Sequence, residues 1–155
     1  MRRLIIVLLL VIFSCSKEEN ITSYLDSFAA NTYFEEEVFS DNYLGFYGLW
    51  KALGSWGGWS GYSEPTFDFL EIKPYGIYGI IKNNILVEYG NISPNNITPS
   101  FPGLPVIINP QYSTGEITVF RSNMYFELVR PDTLSIADGL IDGRQFIFSR
   151  IKNKT

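Results

Sequence analysis

The chain contains no histidine and one cysteine, Cys15. Without histidine there is no Ser-His-Asp triad and no imidazole ligand for a metal, and a catalytic thiol lacks its usual base. One cysteine forms no intrachain disulfide and no cysteine-rich zinc site. Charge is also sparse, at 18% of residues, with 12 basic against 16 acidic side chains. An acidic balance disfavours nucleic acid, which is bound by Lys and Arg neutralising phosphates. An acid pair for glycoside hydrolysis is conceivable among Asp68, Glu71, Glu88 and Glu127. Carboxylates on outward strand faces are the commoner explanation, so no catalytic residue, cofactor or metal is assigned, and the chain reads as a non-enzyme.

What is present begins with Met1-Arg2-Arg3, then Leu4 to Phe13 without a polar side-chain atom, then Ser14 and Cys15. A basic start, a short apolar core and a small residue before the break make an export signal. The run is too short to span a bilayer, which takes roughly 20 apolar residues. Cys15 at that edge is either a stray thiol behind an ordinary cleaved signal or a lipid attachment point. "VIFSC" (11–15) resembles the lipobox of bacterial lipoproteins, with Ile12 in the place usually held by Leu and Phe13 bulkier than usual. The resemblance implies cleavage before Cys15 and acylation of the new terminus. One acyl chain binds membranes only marginally, and two or more anchor stably. "SKEEN" (16–20) is a solvated linker in plain terms, and it resembles the signal for surface display in lipoproteins of Bacteroidetes. The implied location is the outer membrane, exposed at the cell surface, with a periplasm-facing anchor as the alternative.

With residues 1–14 removed, ten basic side chains remain against sixteen acidic ones, a net charge of about −6. About 140 residues suit one domain. Aromatic residues make up 16% of the chain. Phe and Tyr favour strands and bury large areas, so a core can form without disulfides. Asn-x-Ser/Thr sequons such as those at Asn20, Asn91 and Asn96 are coincidental in a bacterial lipoprotein.

Residues 15–43 read as a lipidated tether with a short helix, since Ile21, Tyr24, Leu25 and Phe28 follow helical spacing. From residue 44 to 155, short apolar stretches alternate with Gly, Pro, Asn and Asp turns, which marks an all-β barrel or sandwich. Strands are expected at 45–53, 66–73, 77–82, 85–91, 106–108, 115–120, 124–129, 132–137 and 144–152, with a Pro- and Asn-rich loop over 93–105. Asn83-Asn84 is a two-residue hairpin turn, because Asn tolerates positive φ. Asp138-Gly139 and Asp142-Gly143 are turns, since the ligand spacing of a calcium-binding EF-hand is absent. Within strands, Ile77, Gly79 and Ile81 share a face, as do Ile85, Val87 and Tyr89, then Met124, Phe126 and Leu128, then Phe146, Phe148 and Arg150. Eight or nine antiparallel strands favour closure, which removes exposed edges.

The stretch from Gly45 to Lys152 resembles the lipocalin-like (calycin-type) lipoproteins of Bacteroidetes. "GLW" (48–50) resembles the Gly-x-Trp of the first strand, "FLEIKPYGIY" (69–78) an inner strand and its turn, and "DTLSIADGLIDGRQFIFSR" (132–150) the closing hairpin. The resemblance implies an up-and-down barrel in which Trp50 and Arg150 meet at the closure. It also places "GSWGGWSGYSEP" (54–65) over the open mouth, where Trp56, Trp59 and Tyr62 form an aromatic lid, a stacking platform for a sugar, or a plain plug. Two functions stand. One is a barrel holding a small hydrophobic or amphipathic ligand, or a glycan fragment. The other is a filled barrel that binds another protein through its loops, as small inhibitors do.

Overall fold

A computed structural model describes residues 41–57, 61–95, 102–115, 120, 123–139 and 143–152. The expected signal peptide, Cys15, the N-terminal helix and Trp59 lie outside the described residues. A 3-10 helix, Asp41–Phe46, leads into nine strands: β1 (Gly48–Gly57), β2 (Tyr62–Ser63), β3 (Phe69–Ile72), β4 (Ile77–Lys82), β5 (Ile85–Pro94), β6 (Leu104–Ser113), β7 (Asn123–Arg130), β8 (Thr133–Ala137) and β9 (Arg144–Arg150).

Each strand from β3 onward pairs antiparallel with the next, and β9 returns to pair with β1 from Trp50↔Arg150 to Gly57↔Arg144. The result is a closed eight-stranded barrel, with β2 as an extra strand. On its other side β1 is divided: Gly48 to Lys51 pair with β3, while Ser55 and Trp56 pair with β2. β1 can serve both because a bulge at Leu53 re-aims the chain between Ala52 and Gly54.

The hairpin β4–β5 turns on Asn83 and Asn84 at φ 52° and 60°, the left-handed conformation of a primed turn. Its side chains do not follow simple alternation. Tyr78 and Ile80 enter the core, while Ile77 and Ile81 lie outside the core cluster yet are buried, so β4 is covered on both faces. In β5 the register shifts between Ile80 and Ile81: Leu86 opposes Ile81 and Glu88 opposes Ile80. Val87 is the extra residue. The shift brings Glu88 onto the same side as the core residue Ile80, and Tyr89 stacks on Tyr112 instead of joining Val87.

β1 begins later and runs further than expected, because residues 41–46 form a helical turn and "GSWG" continues the strand beyond the bulge. Most of the expected 93–105 loop separates two long strands. Pro94 still pairs with Val106, and β6 runs through Ser113 where a three-residue strand was expected. Pro110 sits where the β5–β6 register shifts, a position that tolerates a missing donor. The expected strand 115–120 falls partly outside the described residues, and Phe120 itself lies outside any strand with its ring in the core.

Among the described residues, large side chains pack the interior. Trp50, Leu70, Ile72, Tyr78, Ile80 and Phe148 are among the fully buried side chains. At the closed end Phe46, from the helical turn, packs edge-on against Phe126 with centroids 5.8 Å apart. Burying a Leu, Ile or Phe side chain contributes roughly 1.5–3 kcal/mol, and the core cluster is continuous from this end to the mouth.

Candidate functional site

The closed end is locked by β1 and β9. Trp50 and Arg150 are Cα partners, and the guanidinium carbon lies 4.1 Å from the Trp50 ring centroid. The Trp50 indole N–H donates to the Phe46 carbonyl at 2.8 Å. Arg150 donates to the carbonyls of Tyr47 (2.7 Å), Pro131 (3.2 Å) and Gly45. One side chain thus ties the helical turn and the β7–β8 turn to the end of β9.

Trp56 and Tyr62 form a pair on the β1–β2 hairpin, with centroids 5.2 Å apart and planes at 56°. They are 55% and 44% exposed, so neither plugs the barrel. The backbone of β1 holds the pair. Gly54 has φ 141°, and a Cβ there would meet the Tyr62 ring at 2.5 Å. The Tyr62 hydroxyl donates to the Leu53 carbonyl at 3.0 Å. Tyr62 therefore lies over a glycine that only a bulged strand presents.

The plugs are two phenylalanines that the sequence reading did not single out. Phe67, between β2 and β3, packs against Phe148 at 6.0 Å. Phe120, between β6 and β7, packs edge-on against Tyr78 and Phe146. Both are buried. Beside Phe67 lies a cavity of about 40 Å³ lined by Ala52, Ser55, Phe146, Phe148 and Arg144. At ~10–15 Å³ per water this is room for about three waters, far below the roughly 300 Å³ of a small-ligand pocket.

Among the buried charged groups is Glu88, which accepts the Tyr78 hydroxyl at 2.8 Å. Burial pushes the Glu88 carboxyl above its usual range, against the lowering effect of bonds from Tyr78 and Ser113. Burial, and then the neighbouring carboxylate, hold the Tyr78 phenol well above its ordinary value. The pair is a hydrogen-bonded polar contact inside an apolar core. The pattern "ILVEYGN" carried no sign of it, because the β5 bulge decides which side Glu88 takes. Among the described residues, no group of three or more His, Cys, Asp or Glu is placed to hold a metal ion.

Comparison with protein-family models, curated proteins and solved structures finds no match to this chain.

Proposed function

We propose that the chain is an acylated outer-membrane lipoprotein of the lipocalin-like kind, held by Cys15. It acts as a binding module whose ligand is amphipathic and is met on the outer rim of the mouth, not inside the barrel. The observation that supports this most is the contrast at the mouth: the interior around Phe67 leaves about 40 Å³, while Trp56 and Tyr62 stand half-exposed as a built pair. Exposed aromatic rings fixed by backbone are adhesive surface at low entropy cost. The export signal, the lipobox-like "VIFSC" and the charged tether support display at the membrane.

The anchor is tested by Cys15→Ala in the full chain. Wild type is expected in the membrane fraction with labelled fatty acid, and the variant in the soluble fraction without it. A membrane-bound, unlabelled wild type sinks the anchor. The rim is tested by native mass spectrometry of the full chain from host membranes. A co-purified mass retained by wild type and lost from a Trp56→Ala, Tyr62→Ala double variant is expected. A mass that persists in the double variant refutes the rim.

A second reading keeps the ligand inside. Phe67 lies outside the strands and borders the cavity, so its displacement would enlarge the space over Ala52 and Phe148.

A further inference from the structure

Antiparallel register fixes which side chains stand beside one another on a barrel wall. Around the mouth end one such row runs Tyr62↔Trp56 (β2–β1), Trp56↔Gln145 (β1–β9), Gln145↔Ala137 (β9–β8) and Ala137↔Tyr125 (β8–β7). It belongs to the outer wall. The neighbours of Gln145 and Ala137 along their strands, Phe146 and Ile136, are in the core, and side chains alternate along a strand. The next row toward the closed end brings Ser135 beside Glu127 and Ile147.

In this row Ala137 is the one small side chain, set between Gln145 and Tyr125. The gap above it is real: a cleft of about 240 Å³ opens there, lined by Tyr125, Glu127, Ala137, Asp138, Arg144 and Gln145. The Gln145 side-chain nitrogen donates to the Ser135 hydroxyl at 2.8 Å, which fixes the direction of the amide. Tyr125 is buried, so that wall of the cleft is set by the fold. Trp56, the neighbour of Gln145 on β1, is 55% exposed and stands one strand beyond the residues that line the cleft.

We infer that this outer cleft over β7, β8 and β9 is a binding site for one sugar ring of a neutral glycan, with Trp56 stacking on its apolar face. The inference rests on the reading of the rim as a ligand-binding surface and names the class of ligand. Four features select it. Two carboxylates and an amide can take hydroxyl protons, and a guanidinium and the amide can give them, which matches the mixed donors and acceptors of a polyol. Two carboxylates beside one guanidinium disfavour an anion, and the guanidinium disfavours a metal cation. The volume lies just below the roughly 300–1,000 Å³ of drug-sized sites, a size for one ring. A peptide gains little here, because the wall of a closed barrel presents no free strand edge to extend.

The test uses the full chain in lipid nanodiscs and saturation-transfer NMR with methyl glycosides of glucose, galactose, mannose and N-acetylglucosamine. At least one is expected to receive saturation, strongest on the C–H protons of one ring face. Ala137→Leu, which fills the floor without touching a hydrogen bond, is expected to weaken that binding at least tenfold with Tm unchanged. Glu127→Gln, a second variant that leaves the volume intact, is expected to weaken it severalfold. Absence of transfer to every glycoside overturns the inference, as does transfer that both variants leave unaltered. If no glycoside binds while a co-purified mass still depends on Trp56 and Tyr62, the rim reading stands and the sugar site falls. If glycosides bind, with loss in Ala137→Leu but not in Trp56→Ala, the cleft stands and the stacking role of Trp56 falls.

Discussion

Arg150 and Trp50 are joined twice, as backbone partners across the β1–β9 seam and as a cation over an indole at 4.1 Å. The seam is where the first strand meets the last, so it joins residues a hundred positions apart, Trp50 and Arg150. Three carbonyls, of Gly45, Tyr47 and Pro131, also accept hydrogen bonds from the same guanidinium.

Arg150→Ala is therefore expected to destabilise the barrel by about 3 kcal/mol. The cation–π contact contributes roughly 0.5–2 kcal/mol, and hydrogen bonds to a charged group are worth about 1.5–3 kcal/mol without being additive. Arg150→Lys should recover less than half, since an ammonium cannot reproduce the planar fork. Urea denaturation checks both, and a lysine variant as stable as wild type would show that charge alone suffices.

Gly54→Ala is expected to cost about 1–3 kcal/mol, because a left-handed backbone and the Tyr62 ring both oppose a Cβ there. Gly61→Ala is its control. That glycine also has positive φ, at 68°, but meets nothing within 4 Å, so roughly 1 kcal/mol is expected. Besides lower stability, Gly54→Ala should change the fluorescence of Trp56 by displacing Tyr62, and Gly61→Ala should not.

Glu88 gives a pH signature. Its carboxyl is raised in the folded protein by burial, so the fold binds that proton more tightly than the unfolded chain does. The cost of its charge is fully present above the folded value and gone below the unfolded carboxyl range, near pH 4. Glu88→Gln keeps an acceptor for Tyr78 and removes that charge. Its Tm should exceed that of wild type at pH 7.5, and the difference should shrink toward zero as pH falls to about 4. Tyr78→Phe removes the donor instead and should cost about 1–3 kcal/mol at neutral pH. A Glu88→Gln advantage that does not vary with pH would detach the effect from titration.

Phe67→Ala should cost about 3–5 kcal/mol, as a large-to-small change in a packed core does, and should leave a space joined to the existing cavity. Xenon or benzene binding, followed by Tm, tests whether that space is accessible. A Phe67→Ala protein that binds the co-purified ligand more tightly than wild type would favour the interior reading over the rim.

Much of this fold is written locally. Asn83-Asn84 marks its hairpin because few other residues accept φ near 60°. β7, β8 and β9 fall within two residues of where their alternating apolar positions place them. Two of the local failures came at bulges. The irregularity at Leu53 carries β1 into a Gly-rich stretch that reads as a loop, and it turns Trp56 outward. The one at Val87 brings Glu88 to the core side. A bulge has no composition of its own, and one extra residue reverses every side chain beyond it.

By itself, then, the sequence determined the class of the fold and the place of most of its strands, because alternation and turn chemistry act over a few neighbouring residues; the meeting of Trp50 and Arg150 was implied by the lipocalin-like resemblance and not by any local pattern. Only the tertiary structure decided what fills the barrel and what faces out. Phe67 and Phe120 enter the core from outside the strands, and Tyr125, Ala137, Gln145 and Trp56 come side by side only when four strands take their register. Those arrangements depend on pairing between residues as much as a hundred positions apart in the chain, which no local pattern encodes.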